Sequence, residues 1–249
     1  MKNCLPPNWS APPSVCAFVT TRKGGVSQTP YDSFNLADHV GDNAQCVARN
    51  RQRLCEMLSL PQEPQWLRQA HGTRALIADE IRAISPPEAD ASHTQKTGVV
   101  CAVLTADCLP ILLCDRQGAH VAAIHAGWKG LAAGIIEATI NAMNTRPHQL
   151  LAWLGPAIGP SAFEVGPDVY QAFLPTHKNA ASAFTPFGKN KWLADIYMLA
   201  RQKLVASGVT AVDGGDFCTY TDQQRFFSYR RDGEKTGRMA AVIWIKSNH

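Results

Sequence analysis

Residues 103–133 read VLTADCLPILLCDRQGAHVAAIHAGWKGLAA, and this stretch decides the fold. Its apolar runs suit buried strands, but polar residues break them at two places. The first break is Thr105-Ala106-Asp107-Cys108, which a strand would not choose for packing. The second is His125-Ala126-Gly127-Trp128-Lys129-Gly130, after which Leu131, Ile135, Ile136, Ile140 and Met143 recur at helical spacing. The pattern is strand, turn, strand and the start of a helix, with Cys108 and His125 on or beside neighbouring strands. A thiol, an imidazole and a partly positive helix end in one place mark a candidate site.

On the N-terminal side, residues 1–15 are Pro-rich and expected to be irregular, and 15–21 predict a strand. Arg22-Lys23-Gly24-Gly25-Val26-Ser27 follows as a basic, Gly-rich turn; such turns can offer N–H groups to an anion, though solvated charge is their commoner use. Residues 31–42 predict an ordered loop containing His39, and Asp42 or Asn43 caps a helix through Leu58 with Val47, Leu54 and Leu58 on one face. Residues 65–69 predict a short strand that runs into Ala70-His71-Gly72-Thr73, a conformational break at a strand end. Residues 81–97 predict a polar loop, with Asp90-Ala91 starting a short return to the central strands.

On the C-terminal side, one helix is expected over 130–144, stopped before Pro147. A strand at 150–154 runs into Gly155-Pro156-Ala157-Ile158-Gly159-Pro160, a rigid segment suited to a pocket rim. Helices are expected over 167–173 and 193–205, a loop over 218–228, a basic turn at Arg230-Arg231 and a closing strand at 239–245. No repeat or linker interrupts the chain, so 1–249 predicts one domain.

With 45% hydrophobic and 18% charged residues, the chain has ample core and is not of the disordered class. Its formal charge of +4 is too small and dispersed to argue for nucleic acid. The N-terminus lacks the apolar core of a signal peptide and no run reaches membrane-span length, so a cytoplasmic location is expected and no membrane partner. Eight cysteines without a C-x-x-C pair are, in a reducing compartment, mostly small buried hydrophobes.

His71, Cys108 and His125 are candidate metal ligands on three separate elements, the pattern of a catalytic site that keeps a fourth position open. Zinc would polarise water or a substrate oxygen. Copper with a weak axial group would suit electron transfer. A metal-free Cys108 nucleophile with His125 as base is an equal alternative. Asp107 is expected to accept structural hydrogen bonds on the opposite face if the strand stays regular there, unless the turn lifts it into the site. Trp128 is expected to pack over the strand–helix corner. The H-x-E and P-C-x-x-C signature of zinc nucleoside deaminases is absent, as are Walker-type and dinucleotide-binding loops.

TADCLPILL followed by HAGWKGLAAGII resembles the bacterial laccase-domain proteins, also called the polyphenol oxidase-like, purine nucleoside phosphorylase or peptidoglycan editing factor family. TRKGGVS, SFNL, HVGD, QAHGT, GPAIGP, FEVG, CTY, FFSYRRDG and TGRMA stand in the same order, so the resemblance covers nearly the whole chain. It implies a zinc site of His71, Cys108 and His125, with copper as the other metal claimed for such proteins. It also implies phosphorolysis of adenosine, inosine and methylthioadenosine, with adenosine deamination and copper-linked phenol oxidation as further attributed activities. Nucleoside and phosphate would be the partners, with Arg22, Lys129 and Arg230 as candidate phosphate ligands. A Cys–His amidase acting on peptidoglycan precursors is the rival, since the fold is related to a toxin deamidase. The expected fold is α+β, with mixed sheets in a sandwich-like core flanked by helices. Ala70 and Ser161 depart from commoner Val and Cys without touching the proposed ligands. Neither the residues nor the resemblance specifies an oligomeric state.

Overall fold

The structure, a computed structural model, describes residues 3–80, 85–175 and 178–247. In chain order its elements are β1 (Cys4–Leu5), β2 (Val15–Thr20), α1 (Ala44–Leu58), β3 (Ala75–Ile77), β4 (Ala91–Thr94), β5 (Val100–Thr105), β6 (Leu109–Asp115) and β7 (Val121–Ala126). Then come α2 (Trp128–Ala133), α3 (Ile135–Met143), β8 (Leu150–Leu154), β9 (Glu164–Val165), α4 (Pro167–Phe173), β10 (Phe184–Pro186) and β11 (Trp192–Ala194). The last are α5 (Ile196–Ala206), β12 (Ala211–Gly214), α6 (Tyr229–Asp232) and β13 (Met239–Ile245).

Two sheets face each other, the first wholly antiparallel and the second mixed. One has the order β1-β2-β13-β5 and the other β12-β8-β6-β7-β4-β3; β10-β11-β9 make a small third sheet. Side-chain alternation sorts the core into layers. Val103, Ala241 and Ile243 from the first sheet pack on Leu112, Cys114, Ala123 and Trp153 from the second. The other face of the second sheet, with Ile111, Leu113 and Ile124, is covered by Ile136 and Ile140 of α3 and Leu199 and Leu204 of α5. The outer face of the first sheet, with Ala102, Leu104 and Val242, is covered by Leu54 and Leu58 of α1 and by Phe34 and Leu36. This is the α+β sandwich flanked by helices that the resemblance implies, except that one of the two facing sheets is antiparallel throughout where mixed sheets are expected.

The break at Ala106-Asp107-Cys108 is where the chain leaves one sheet for the other. β5 pairs with β13, whereas β6 pairs with β7 and β8. Asp107 adopts φ 82°, so the strand is not regular there. Its buried carboxylate accepts from Thr219 Oγ1 at 2.6 Å, Ser228 Oγ at 2.9 Å and the Arg230 backbone N–H at 2.6 Å. The expected structural acceptor is therefore present and ties the crossover to α6, but it is not on the opposite face: with the strand broken, Asp107 lines the same cavity as Cys108.

Several local expectations need correction. The helix over 130–144 is two helices, because Gly134 at φ 103° ends α2 and precedes α3. α5 begins at Ile196, capped by Asp195, whose side chain accepts from Met198 N, and 192–194 join a sheet instead. Residues 65–69 form only isolated bridges, at Gln65 and Arg68. Within the N-terminal segment expected to be irregular, Cys4–Leu5 pairs with β2. Of the loop expected over 81–97, residues 81–84 lie outside the described residues, and 91–94 are the buried strand β4. No helix among the described residues is long and apolar enough to cross a membrane.

Candidate metal centre

His125 enters from the end of β7, where Ile124 and Ala126 point toward the helices and His125 toward the opposite face. Cys108 immediately precedes β6, whose Leu109 pairs with Ala126. His71 comes from the 69–73 segment at φ 60°, a left-handed conformation uncommon for a residue with a Cβ. Three ligand atoms, one from each residue, lie within 4.8 Å of one another. Cys108 Sγ is 3.7 Å from His71 Nε2, and the two imidazoles meet edge-on with centroids 4.8 Å apart.

The shell around these three residues fixes them. Asp90 is 1% exposed, and its Oδ1 accepts from His125 Nδ1 at 2.8 Å and His71 N at 2.9 Å. Its Oδ2 accepts from Gly72 N at 2.7 Å and Ala70 N at 3.2 Å, and its carbonyl takes His125 N at 2.7 Å. Gln69 clamps the segment to the end of β5: its Nε2 donates to Leu104 O at 2.8 Å and its Oε1 accepts Leu104 N at 2.7 Å. Two glycines permit the approach of α2. A Cβ on Gly127 would stand 2.7 Å from His71 Cδ2 and 3.1 Å from Cys108 Sγ; one on Gly130 would stand 2.8 Å from Gly72 O.

Electrostatics favour a charged pair. Burial alone would raise the Cys108 pKa, but hydrogen bonds and charge from His125 and His71 hold it well below the ordinary thiol value. Burial would lower that of His125, but Asp90 and Cys108 raise it. Asp90 is pushed up by burial and drawn below the usual carboxylate range by His125 and the N–H groups of Gly72 and His71.

This donor set fits one tetrahedral metal. Zn–N bonds of ~2.05 Å and Zn–S bonds of ~2.3 Å place N and S about 3.6 Å apart in tetrahedral geometry, close to the observed 3.7 Å. With His125 Nδ1 committed to Asp90, its Nε2 is left as ligand, and the carboxylate fixes that tautomer. Only two histidines are present in the cluster, and no second group of three ligands occurs among the described residues, which argues against a multinuclear centre.

The ligands open into a cavity of about 640 Å³, in the size range of small-molecule sites. One wall is apolar, with Ile158, Phe163, Val165, Val169 and Ile196. Lys129, Arg230 and Arg238 supply positive charge, and Tyr229 and His39 also line it. Trp128 packs against the helical core as expected and carries the Lys129 ammonium 5.6 Å from its ring centre.

Arg22 does not line this cavity. Its Nε donates to Asp32 O at 3.0 Å and Nη1 to Gln223 O at 3.3 Å, and the guanidinium lies over Phe227. The Gly-rich turn beside it is also committed internally: Gly25 N donates to Ser33 Oγ at 3.1 Å and Val26 N to Asn50 Oδ1 at 2.9 Å. A Cβ on Gly25 would lie 2.0 Å from Ser33 O, so this glycine serves close backbone packing. Sequence reasoning missed Asp90, Gln69 and Arg238. For Arg238 a signal exists, a lone cation just before an entirely apolar strand.

A fold of this kind with a His₂Cys cluster able to hold a metal over an open cavity defines a laccase-domain protein. The chain belongs to the multi-copper polyphenol oxidoreductase laccase family, whose model matches residues 16–246. It is 52% identical over 247 residues to a Pseudomonas aeruginosa protein named purine nucleoside phosphorylase, covering 99% of this chain and 100% of that one. It is 52% identical over 246 residues to purine nucleoside phosphorylase YfiH of Escherichia coli K12, covering 98% and 100%. The crystal structure of a Neisseria meningitidis protein matches with a TM-score of 0.95 at 50% identity, covering 98% of this chain and 100% of that one. That of YlmD from Geobacillus stearothermophilus matches with 0.88 at 31%, covering 94% and 93%.

Proposed function

We propose that this chain is a zinc-dependent purine nucleoside phosphorylase, cleaving adenosine, inosine and methylthioadenosine with phosphate to the free base and a (methylthio)ribose 1-phosphate. Deamination of adenosine would be a side activity of the same site. The observation that carries the reading is the convergence of His71, Cys108 and His125 beside a cavity with an apolar wall and the cations Lys129, Arg230 and Arg238. The relatives named purine nucleoside phosphorylase support the same reaction.

A zinc ion held by the three ligands would supply a Lewis acid as charge develops on the departing base or on a bound oxygen. The chain's residues do the rest. Phe163, Val165 and Val169 offer an apolar surface for a purine. Lys129 and Arg230 present charge to the phosphate, and neither forms an ion pair among the described residues. Holding nucleoside and phosphate together in line supplies the orientation that the uncatalysed reaction lacks.

A second reading is favoured by one observation. Cys108, His125 and Asp90 form a line of nucleophile, base and orienting carboxylate, the arrangement of a Cys–His amidase. Chelation separates the two readings. Phosphorolysis by a metal site is lost when zinc is stripped and returns on reloading, whereas a Cys108 nucleophile survives metal removal.

A further inference from the structure

Arg238 differs from the other two cations of the cavity. Lys129 and Arg230 are exposed, whereas Arg238 is half-buried, and burial is the first cause pulling its pKa below the ordinary guanidinium value. Its backbone is locked on both sides, with its N–H donating to Asn35 Oδ1 at 3.0 Å and its carbonyl accepting Leu36 N at 3.3 Å. Its Nη1 donates to Thr236 O at 2.7 Å and Gly237 O at 3.2 Å, and its guanidinium carbon lies 5.8 Å from the Tyr229 ring centre. These contacts hold one edge of the guanidinium. Among the described residues the other edge, Nε and Nη2, has no hydrogen bond and the group forms no ion pair.

A guanidinium stays charged, and leaving part of its donor edge unmatched in a half-buried place is costly. The charges of Cys108 and Asp107 act on it without a hydrogen bond to either, and the Asp107 carboxylate is already engaged by Thr219, Ser228 and the Arg230 N–H. The open Nε/Nη2 edge is the fork that binds an oxyanion through two parallel hydrogen bonds.

Resting on the phosphorylase reading, we propose that Arg238 is the principal ligand of the inorganic phosphate co-substrate, with Lys129 and Arg230 adding charge at the more exposed side. It takes the place suggested for Arg22, whose guanidinium is committed to the carbonyls of Asp32 and Gln223.

The test is calorimetric titration of the zinc-loaded protein with inorganic phosphate, together with initial rates at varied phosphate and varied adenosine. Arg238→Met should raise both the phosphate Kd and the phosphate KM by on the order of 30-fold while leaving the adenosine KM within about 3-fold. Arg238→Lys should fall between, because a point charge keeps attraction and loses the fork; it also decides the matter if the Met variant does not fold. Arg22→Gln should bind phosphate like the wild type. Wild-type phosphate affinity in both Arg238 variants would overturn the proposal, as would an equal rise in KM for both substrates. A wild-type protein that releases base without needing phosphate would instead overturn the phosphorylase reading, and the phosphate role of Arg238 with it.

Discussion

Asp90 and His125 are joined twice: the carboxylate accepts His125 Nδ1 at 2.8 Å and the Asp90 carbonyl accepts the His125 backbone N–H at 2.7 Å. The same carboxylate takes the N–H groups of residues 70–72, so one buried acid sets the position of two ligands from different segments. Asp90→Asn removes the charge and can turn an amide N–H toward His125 Nδ1. Zinc affinity, measured by competition with a chromophoric chelator, should fall roughly 10- to 100-fold. An unchanged affinity would show that the backbone alone positions the ligands.

Cys108→Ala should abolish both stoichiometric zinc and turnover, because two imidazoles do not hold the metal without the thiolate. Cys101→Ala is the contrast. Cys101 is fully buried between the sheets with its thiol pushed up to about 12, so it acts as a small hydrophobe. That variant should cost about 1 kcal/mol in stability and leave zinc and turnover nearly intact.

Gly127→Ala tests the close approach of α2. The new Cβ would stand 2.7 Å from His71 Cδ2 and 3.1 Å from Cys108 Sγ, so His71 must move. Zinc affinity should drop by at least about tenfold, a loss of ~1.4 kcal/mol in ligand geometry. Circular dichroism should show the secondary structure retained.

The strand pattern made much of this legible. The closing strand over 239–245 followed from its continuous apolar run, buried at every position, and the Asn43-capped helix from periodicity and cap chemistry. The three ligands stood out because Cys108 and His125 interrupt apolar runs where packing gives no reason for them. Gly134 hid the break between α2 and α3, since Leu131, Ile135 and Ile136 keep helical spacing across it. Asp90 was not legible as a site residue, because its four hydrogen-bond donors lie 18–35 residues away and only the tertiary fold brings them together. Arg22 showed the converse: a basic Gly-rich turn looks like an anion site until its donors are found engaged with the 32–33 segment.

A buried histidine pair, His93 on β4 and His120 just before β7, should give the protein a pH response separate from the metal site. His120 is 3% exposed, its Nε2 lies 3.0 Å from His93 Nδ1, and burial first, then the charge of His93, lowers its pKa from 6.5 to about 4. The unfolded chain therefore takes up a proton near 6.5 that the folded one refuses until about 4. This contribution to stability is complete above that window and is lost as pH falls through it, by up to about 3 kcal/mol. His120→Gln should flatten the dependence of Tm on pH between those limits. An equally steep fall in the variant would assign the acid sensitivity to other groups.

The most direct test of the central claim is a product assay with adenosine on protein of known zinc content, with phosphate present or absent. Adenine and ribose 1-phosphate formed only with phosphate, at about one zinc per chain, are the predicted result. Inosine formed at the same rate with or without phosphate, or no turnover of any nucleoside by the zinc-loaded protein, would contradict it.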